Sequence, residues 1–267
     1  ITVEGDREHP ANYGRLCVKG TALHETLGEQ GRLLKPRVDG QEVSWEQALT
    51  TTAERLQAQR SAHGPQSVAA YLSGQLLTED YYVANKLMKG FIGTGNIDTN
   101  SRLCMSSAVV AHKRAFGEDI VPCNYNDLEH TDLLILTGSN AAWTHPVLFQ
   151  RIERAKLRNP AMKVVVVDPR KTDSCSLADL HIALKPGTDA VLFCGLLNYL
   201  AEHSALDQQF ISASTNGFEQ ALSAASEWSV AQVANTCDVS LTVIEQFFNW
   251  FATKPRAITF FSMGINQ

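Results

Sequence analysis

No C-x-x-C pair occurs among the six cysteines of this 267-residue chain, so its own residues do not suggest a closed zinc knuckle. No apolar run reaches the length of a membrane span. The longest, AVLFCGLLNYL at 190–200, is too short and contains an asparagine. Positive charge is not in excess: 23 Lys and Arg face 28 Asp and Glu, a net charge of −5, which argues against a broad nucleic-acid-binding face. No G-x-G-x-x-G is present, so an ordinary NAD site is not indicated. The N-terminus, ITVEGDREHP, has neither an initiator Met nor a basic region followed by an apolar run. The other end stops inside the apolar segment AITFFSMGINQ, so both ends read as cuts within a longer protein. No repeat or biased tract occurs, and reduced thiols in the cytoplasm are the expectation for this cysteine usage.

What is present is a β/α rhythm. Residues 1–42 are rich in Gly, Pro and charge and read as loops and short strands. From Ser44, SWEQALTTTAERLQAQR carries Gln47 three residues on, a capping-box helix start. SVAAYLSG reads as a strand, and TEDYYVANKLMKGFI as a helix with Thr78 at its N-cap. Further on, DLLILTGSN and KVVVVDPR are continuous apolar runs of the kind found in parallel strands buried on both faces. HPVLFQRIERAKLRN lies between them as a helix. HIALKPGTDAVLFCGLLNYLAEH gives a strand, a Pro-Gly turn and a helix capped by Thr188 or Asp189. SLTVIEQFFNWFATKP is a late helix and RAITFFSMG a last strand. The alternation predicts an α/β fold with open, Rossmann-like parallel sheets flanked by helices.

In such sheets ligands sit beyond the carboxyl ends of the strands. Three strand ends here carry distinctive loops: TGSN (137–140), DPRKT (168–172) and PGTD (186–189). Small residues let backbone N–H groups approach a phosphate. Asp168 can accept hydrogen bonds from a ribose or an amino group, and Arg170 can pair with a phosphate. Each loop alone is also an ordinary turn or helix cap, so on pattern alone a nucleotide-like ligand and a bland turn both stand. Cys104, in NIDTNSRLCMSSAV at 96–109, is likewise open between an apolar filler at a helix start and a thiolate held out for a metal. Cys194 reads as a core residue, Cys123, Cys175 and Cys237 have no partner spacing, and His145 reads as structural or capping.

Taken together, GDREHPANYGRLCVKG, NIDTNSRLCMSSAV, LTGSNAAWTHPVLFQRI, VVVVDPRKTDSCSLADLHIALKPGTDAVLFCGLL and FFSMGINQ resemble, in order from end to end, the catalytic subunits of assimilatory nitrate reductases. These are molybdopterin oxidoreductases that carry molybdenum bis(molybdopterin guanine dinucleotide). The resemblance implies that Cys104 is the thiolate ligand of molybdenum. It implies that Cys17 is the fourth ligand of a [4Fe–4S] cluster whose other ligands lie upstream, and that Lys19 lies between cluster and pterin. Further cofactor-contacting positions implied are Gln75, Asn100, Gly138, Ser139, Asn140, Asp168, Pro169, Arg170, Thr172, Gly187, Thr188, Asp189, Met263 and Gln267.

The implied reaction is oxygen-atom transfer: reduced molybdenum takes one oxygen from nitrate and releases nitrite. Two electrons through the cluster and pterin, with two protons, then restore the metal and release water. The implied partners are nitrate and an electron donor, whether a separate ferredoxin or flavodoxin, an NADH-linked protein or a fused reductase domain. The implied setting is cytoplasmic nitrate assimilation. The implied organisation is the end of the [4Fe–4S] domain at 1–42, a first α/β domain at 43–98 rejoined by the strand at 256–267, and a Rossmann-like cofactor-binding domain at 99–255. Formate dehydrogenases of the same superfamily place a histidine after the ligand, where Met105 stands here. The large iron–sulfur subunit of respiratory complex I, an electron-transfer relative without molybdenum, is countered by Cys104 in its setting of NSR and SSAV. An inert α/β fragment is the third alternative, and the isolated piece is expected to be inactive.

Overall fold

The computed structural model describes residues 1–266. The chain divides into two compact units, Ala22–Ser106 and a larger one of Thr2–Thr21 with the residues from Ser107 onward. The larger unit opens with an irregular segment that ends in the single helical turn α1 (Val18–Thr21).

The smaller unit begins with a two-residue hairpin, β1 (Arg37–Val38) against β2 (Gln41–Glu42). Asp39 and Gly40 both adopt positive φ at its turn, as the right-handed twist of the flanking strands favours. Helix α2 (Trp45–His63) starts where Ser44 accepts a hydrogen bond from the Gln47 N–H at 3.2 Å and ends at Gly64, whose φ is 80°. β3 (Ala70–Leu72) leads to α3 (Thr78–Asn85), which continues as a π-helical stretch, Lys86–Ile92. The N-cap is Leu77 rather than Thr78, with the Asp80 carboxylate taking the Leu77 N–H at 3.2 Å. β4 (Ile97–Thr99) pairs in parallel with β3, Ala70 opposite Ile97 and Leu72 opposite Thr99. A small core of Val68, Met88 and Ile92, with Leu56, Ala70 and Ile97 against it, holds this unit. α4 (Asn100–Phe116) follows β4 directly. It is broken at Met105 (φ −139°, ψ 27°), and the division between the units falls one residue later.

The larger unit is built on β5 (Leu133–Thr137), α5 (Ala141–Thr144), α6 (Pro146–Arg158), β6 (Lys163–Val167), β7 (Leu180–Ile182) and α7 (Asp189–Glu202). Then come α8 (Gln208–Ser214), α9 (Phe218–Ala225), α10 (Val230–Cys237), α11 (Leu241–Thr253), β8 (Ala257–Phe261) and α12 (Met263–Asn266). The sheet order is β7-β6-β5-β8, all parallel. Successive side chains of a strand point to opposite faces, so the apolar runs feed two cores. Leu133, Ile135, Val165, Val167 and Ile182 pack with Leu192, Val233, Ile244, Phe247 and Phe248. Leu134, Leu136, Val164 and Val166 pack with Phe149, Ile152 and Met162.

One expectation is corrected. The strand at 256–267 does not rejoin the first α/β layer: β8 pairs with β5, Ala257 opposite Leu133 and Phe261 opposite Thr137. Arg256 pins the start of that register with two hydrogen bonds to Asp132, at 2.9 and 3.0 Å, and Ile258 and Phe260 join the second core. The contacts divide the chain near residues 21 and 106, whereas the sequence suggested 42 and 98.

Asp179, just before β7, ties that edge to β6 and α6. Its carboxylate accepts the Val164 N–H at 2.8 Å and a hydrogen bond from Lys156. Burial raises the Asp179 pKa, but Lys156, the Val164 N–H and Lys163 outweigh it, leaving the carboxyl below its usual range. A depressed folded-state pKa contributes stability that is present above the unfolded value and lost as pH falls through the folded one. Asp179→Ala should therefore cost about 1–2 kcal/mol at neutral pH, allowing for partial exposure. In denaturant titrations the gap from the parent chain should narrow below about pH 4; a gap that ignores pH would leave packing as the cause.

Candidate functional site

The carboxyl ends of β5, β6 and β7 bring together most of the loops singled out in the sequence. β5 ends at Thr137, and Gly138 turns the chain with φ +54° while its N–H bonds the Val167 carbonyl at 2.9 Å. The Gly138 backbone lies against Gly264, so a Cβ on Gly138 would meet the Gly264 carbonyl carbon at 2.7 Å. The Gly264 N–H and the Ser262 hydroxyl both donate to the Gly138 carbonyl, at 2.9 and 3.2 Å, which brings the segment carrying Met263 to this strand end. Ser139 is almost fully buried, yet its hydroxyl and that of Thr137 have no hydrogen-bond partner among the described residues. A buried orphan hydroxyl costs about 1–3 kcal/mol, and an ordered water or a ligand group satisfies it.

Asn140 is fixed from the neighbouring loop. Ser174, wholly buried, donates to its Oδ1 at 2.9 Å and accepts the Ala142 N–H at 3.0 Å. At the end of β6, Asp168 is buried and its Oδ1 accepts the Arg170 N–H at 2.8 Å, closing a turn around Pro169. The Asp168 carbonyl lies 2.9 Å from His181 Nε2. Arg170 and Lys171 are exposed cations on that turn, and Thr172 is half-buried. After β7, Gly187 takes φ +82° in open space, and the Thr188 hydroxyl donates to the Lys185 carbonyl at 2.6 Å. Asp189 opens α7, and burial pushes its carboxyl above the usual range, with the charge of Asp168 adding to the effect. The Asp168 charge thus reaches Asp189, and glycine backbone and the Arg170 and Lys171 cations belong to the same set of strand-end loops. Such an arrangement can accept N–H and O–H groups of a base or ribose and can bind phosphate.

Cys17 and Lys19 lie elsewhere in the larger unit. They line a cleft of about 440 Å³ with Tyr125, Trp143, His145 and Pro146. The backbone N–H groups of Gly20 and Lys19, aided by the Lys19 charge, hold the Cys17 thiol below its usual pKa against the opposing effect of burial, which favours a ligating thiolate. His145 is held neutral-leaning by burial. Its Nδ1 lies 2.8 Å from the Thr144 hydroxyl and its ring meets Phe260 edge-on, in keeping with a structural role.

In the smaller unit, Gln75 and Asn100 flank the carboxyl ends of β3 and β4. The Asn100 Oδ1 accepts the Gly74 N–H, and a Cβ on residue 74 would meet that oxygen at 2.9 Å. Cys104 is half-buried one turn into α4, immediately before the break at Met105. Gln267 lies outside the described residues. Among the described residues no three His, Cys, Asp or Glu side chains converge as a metal site, so neither Cys17 nor Cys104 belongs to such a cluster. No helix among them is long and apolar enough to cross a membrane. Ser174, His181 and Gly264 were not foreseen: a serine in a hydrophilic loop and a histidine in a short strand give no periodic signal.

A family model described as molybdopterin oxidoreductase matches residues 32–265, and one described as the molybdopterin oxidoreductase Fe4S4 domain matches residues 1–28. The chain is 56% identical to a nitrate reductase of Klebsiella oxytoca over 100% of its own length and 30% of that protein's. It is 50% identical to a nitrate reductase of Shewanella frigidimarina over 100% of its own length and 29% of that protein's. It thus spans less than a third of these curated relatives. Acetylene hydratase from Pelobacter acetylenicus has the same fold, with a TM-score of 0.81 at 24% identity over 96% of this chain and 36% of that one.

The two positive-φ glycines separate strain from space. Gly187→Ala, with nothing near its Cβ, should cost about 1–2 kcal/mol. Gly138→Ala adds a backbone clash to the same strain and should cost more than about 3 kcal/mol or prevent folding, read from unfolding midpoints of the two variants. Equal midpoints would mean that the Gly138–Gly264 approach relaxes freely.

Proposed function

This chain belongs to the molybdopterin oxidoreductase family, and from that premise we propose that it is part of a nitrate reductase that converts nitrate to nitrite in the cytoplasm for assimilation. Identity of 56% to a nitrate reductase along the whole chain supports this most directly. The residues present also fit a dinucleotide-bearing molybdenum cofactor. The unpartnered Ser139 and Thr137 hydroxyls and the Asp168–Asp189 carboxylates are features that an absent ligand would satisfy.

In this reading Cys104 supplies the protein thiolate to molybdenum, a soft ligand for that metal. Gly138, Ser139 and Asn140, Asp168 to Thr172, and Gly187, Thr188 and Asp189 hold the guanine dinucleotide of molybdenum bis(molybdopterin guanine dinucleotide). The carboxylates accept from base and ribose, Arg170 pairs with phosphate, and backbone N–H groups complete the cradle. Gln75, Asn100 and Met263 are further contact positions in this reading. Cys17 supplies one thiolate to a [4Fe–4S] cluster that accepts electrons from a donor protein or a fused reductase domain, and the Lys19 cation offsets the negative charge of the cofactors. When bound, the molybdenum group supplies the two-electron oxygen-atom chemistry that turns nitrate into nitrite. The chain's own task is to bind, orient and tune it. The segment through Cys17 then closes the cluster-binding domain, and the parallel sheet of the larger unit carries a dinucleotide arm.

The test uses the complete protein and its Cys104→Ala variant, with a reduced viologen as electron donor and bound molybdenum and iron measured. Nitrate turnover in the parent, lost in the variant while iron is retained, is the expected outcome. Turnover of formate alone would keep the cofactor assignment and replace the substrate. Iron without molybdenum, and no turnover in either protein, would overturn the assignment of Cys104.

A further inference from the structure

The Arg151 guanidinium on α6 is completely buried, a placement that costs several kcal/mol unless its donors are matched. Two of its partners come from the turn before β5: Nε and Nη2 lie 3.0 and 2.9 Å from Glu129 Oε1, and Nη2 donates to Asn126 Oδ1 at 2.8 Å. Those contacts alone would neutralise the charge. The remaining two reach a different part of the chain. Nη1 donates to the Ala11 carbonyl at 3.1 Å, and the guanidinium lies 5.1 Å from the centre of the Tyr13 ring.

The segment so gripped is stiff. Tyr13 and Gly14 both have positive φ. Gly5 lies so close to Gly14 that a Cβ on residue 5 would meet the Gly14 carbonyl oxygen at 2.2 Å. The Asn12 Oδ1 takes the Gly14 N–H at 3.0 Å, and Arg15 Nη1 donates to the Asn12 carbonyl at 3.0 Å. The preceding residue of α6, Gln150, donates to the Leu16 carbonyl at 3.5 Å. Cys17 follows at once. Successive residues of one helix thus hold both ends of a rigid loop that delivers the Cys17 thiol.

We infer that Arg151 is a positioning residue for the iron–sulfur cluster: by gripping Ala11 and Tyr13 it sets where the Cys17 sulfur and the Lys19 cation stand. The inference rests on the assignment of Cys17 as a cluster ligand. Cluster potentials follow the charge, hydrogen bonding and exposure around the sulfurs, so a shifted loop is read directly at the iron. A lysine in place of Arg151 keeps the charge, but a single ammonium cannot serve Glu129, Asn126 and Ala11 together.

The experiment uses the complete, cofactor-loaded protein. Arg151→Lys, Tyr13→Leu and Lys156→Met are compared by iron content, by redox titration of the cluster's paramagnetic resonance signal and by thermal unfolding. Lys156→Met weakens the same helix through Asp179 without touching the loop. The expected result is a shifted cluster midpoint potential and altered signal shape in Arg151→Lys, a smaller change in the same direction in Tyr13→Leu, and a parent-like signal in Lys156→Met despite a lowered unfolding temperature. If Arg151→Lys unfolds, Tyr13→Leu decides, because its ring is partly exposed and the backbone is retained. Parent-like potential and signal in every folded loop variant would overturn the inference and leave Arg151 as a buried ion pair. Cys17→Ser separates the two assignments: unchanged iron and signal there would reject Cys17 as a ligand, whatever Arg151 does.

Discussion

Two strands without a wet face govern the larger unit. β5 is buried along its whole length and β6 at four of its five residues, so helices must cover both sides of the sheet. Parallel strands covered in this way require crossovers through those helices, which sends the loops that follow the strands to one edge. Gly138, Asp168 and Thr188 gather there because the core leaves them no alternative. Burial of Leu133 to Leu136 on two faces is therefore also what places the candidate ligand-binding groups.

That edge is locally unfavourable by itself. It holds orphan hydroxyls at Thr137 and Ser139, a left-handed Gly138 and two mutually repelling carboxylates. The orphan hydroxyls each cost on the order of 1–3 kcal/mol when nothing satisfies them, whereas glycine takes up the left-handed region at little cost. Two hydrophobic cores on one sheet can carry that cost, and a bound ligand would relieve it. Arg151 is the opposite case: a buried charge with its donors matched, and partners drawn from a segment that the sheet does not need.

The apolar runs made the strands legible, and the Ser44–Gln47 pair and the Thr188–Asp189 step marked two helix starts correctly. The strand-end loops were legible for the same reason, since a continuous apolar run marks where a strand stops and its turn begins. The partner of β8 was not legible. Its pattern specifies a strand, whereas its place beside β5 is set by Asp132, Arg256 and the packing of Ile258 and Phe260, and these are separated by more than a hundred residues in sequence. Ser174 was hidden too, because its role comes from wholly buried contact with another loop while its neighbours read as solvent-facing. The short helices α8 to α10, of seven or eight residues each, were missed for lack of length.

Spacing alone did not sort the cysteines, because six thiols without pair spacing look alike, and it took the family resemblance to single out Cys17 and Cys104. Their surroundings differ in sign. Burial pushes the Cys175 and Cys237 thiols up, and Cys237 is fully enclosed with its sulfur 3.7 Å from the Thr188 carbonyl. Neither is suited to act as a thiolate. Cys17 moves the other way because a single helical turn aims the Gly20 and Lys19 N–H groups at it and adds the lysine charge. A thiol lowered by backbone donors keeps those donors when it binds iron, and hydrogen bonds to a ligating sulfur stabilise the more electron-rich cluster. On the proposed reading of Cys17 as a cluster ligand, the same local turn would also bear on the electron affinity of the cluster. A loop that must hold such a turn in register has reason to be anchored as stiffly as residues 11–16 are.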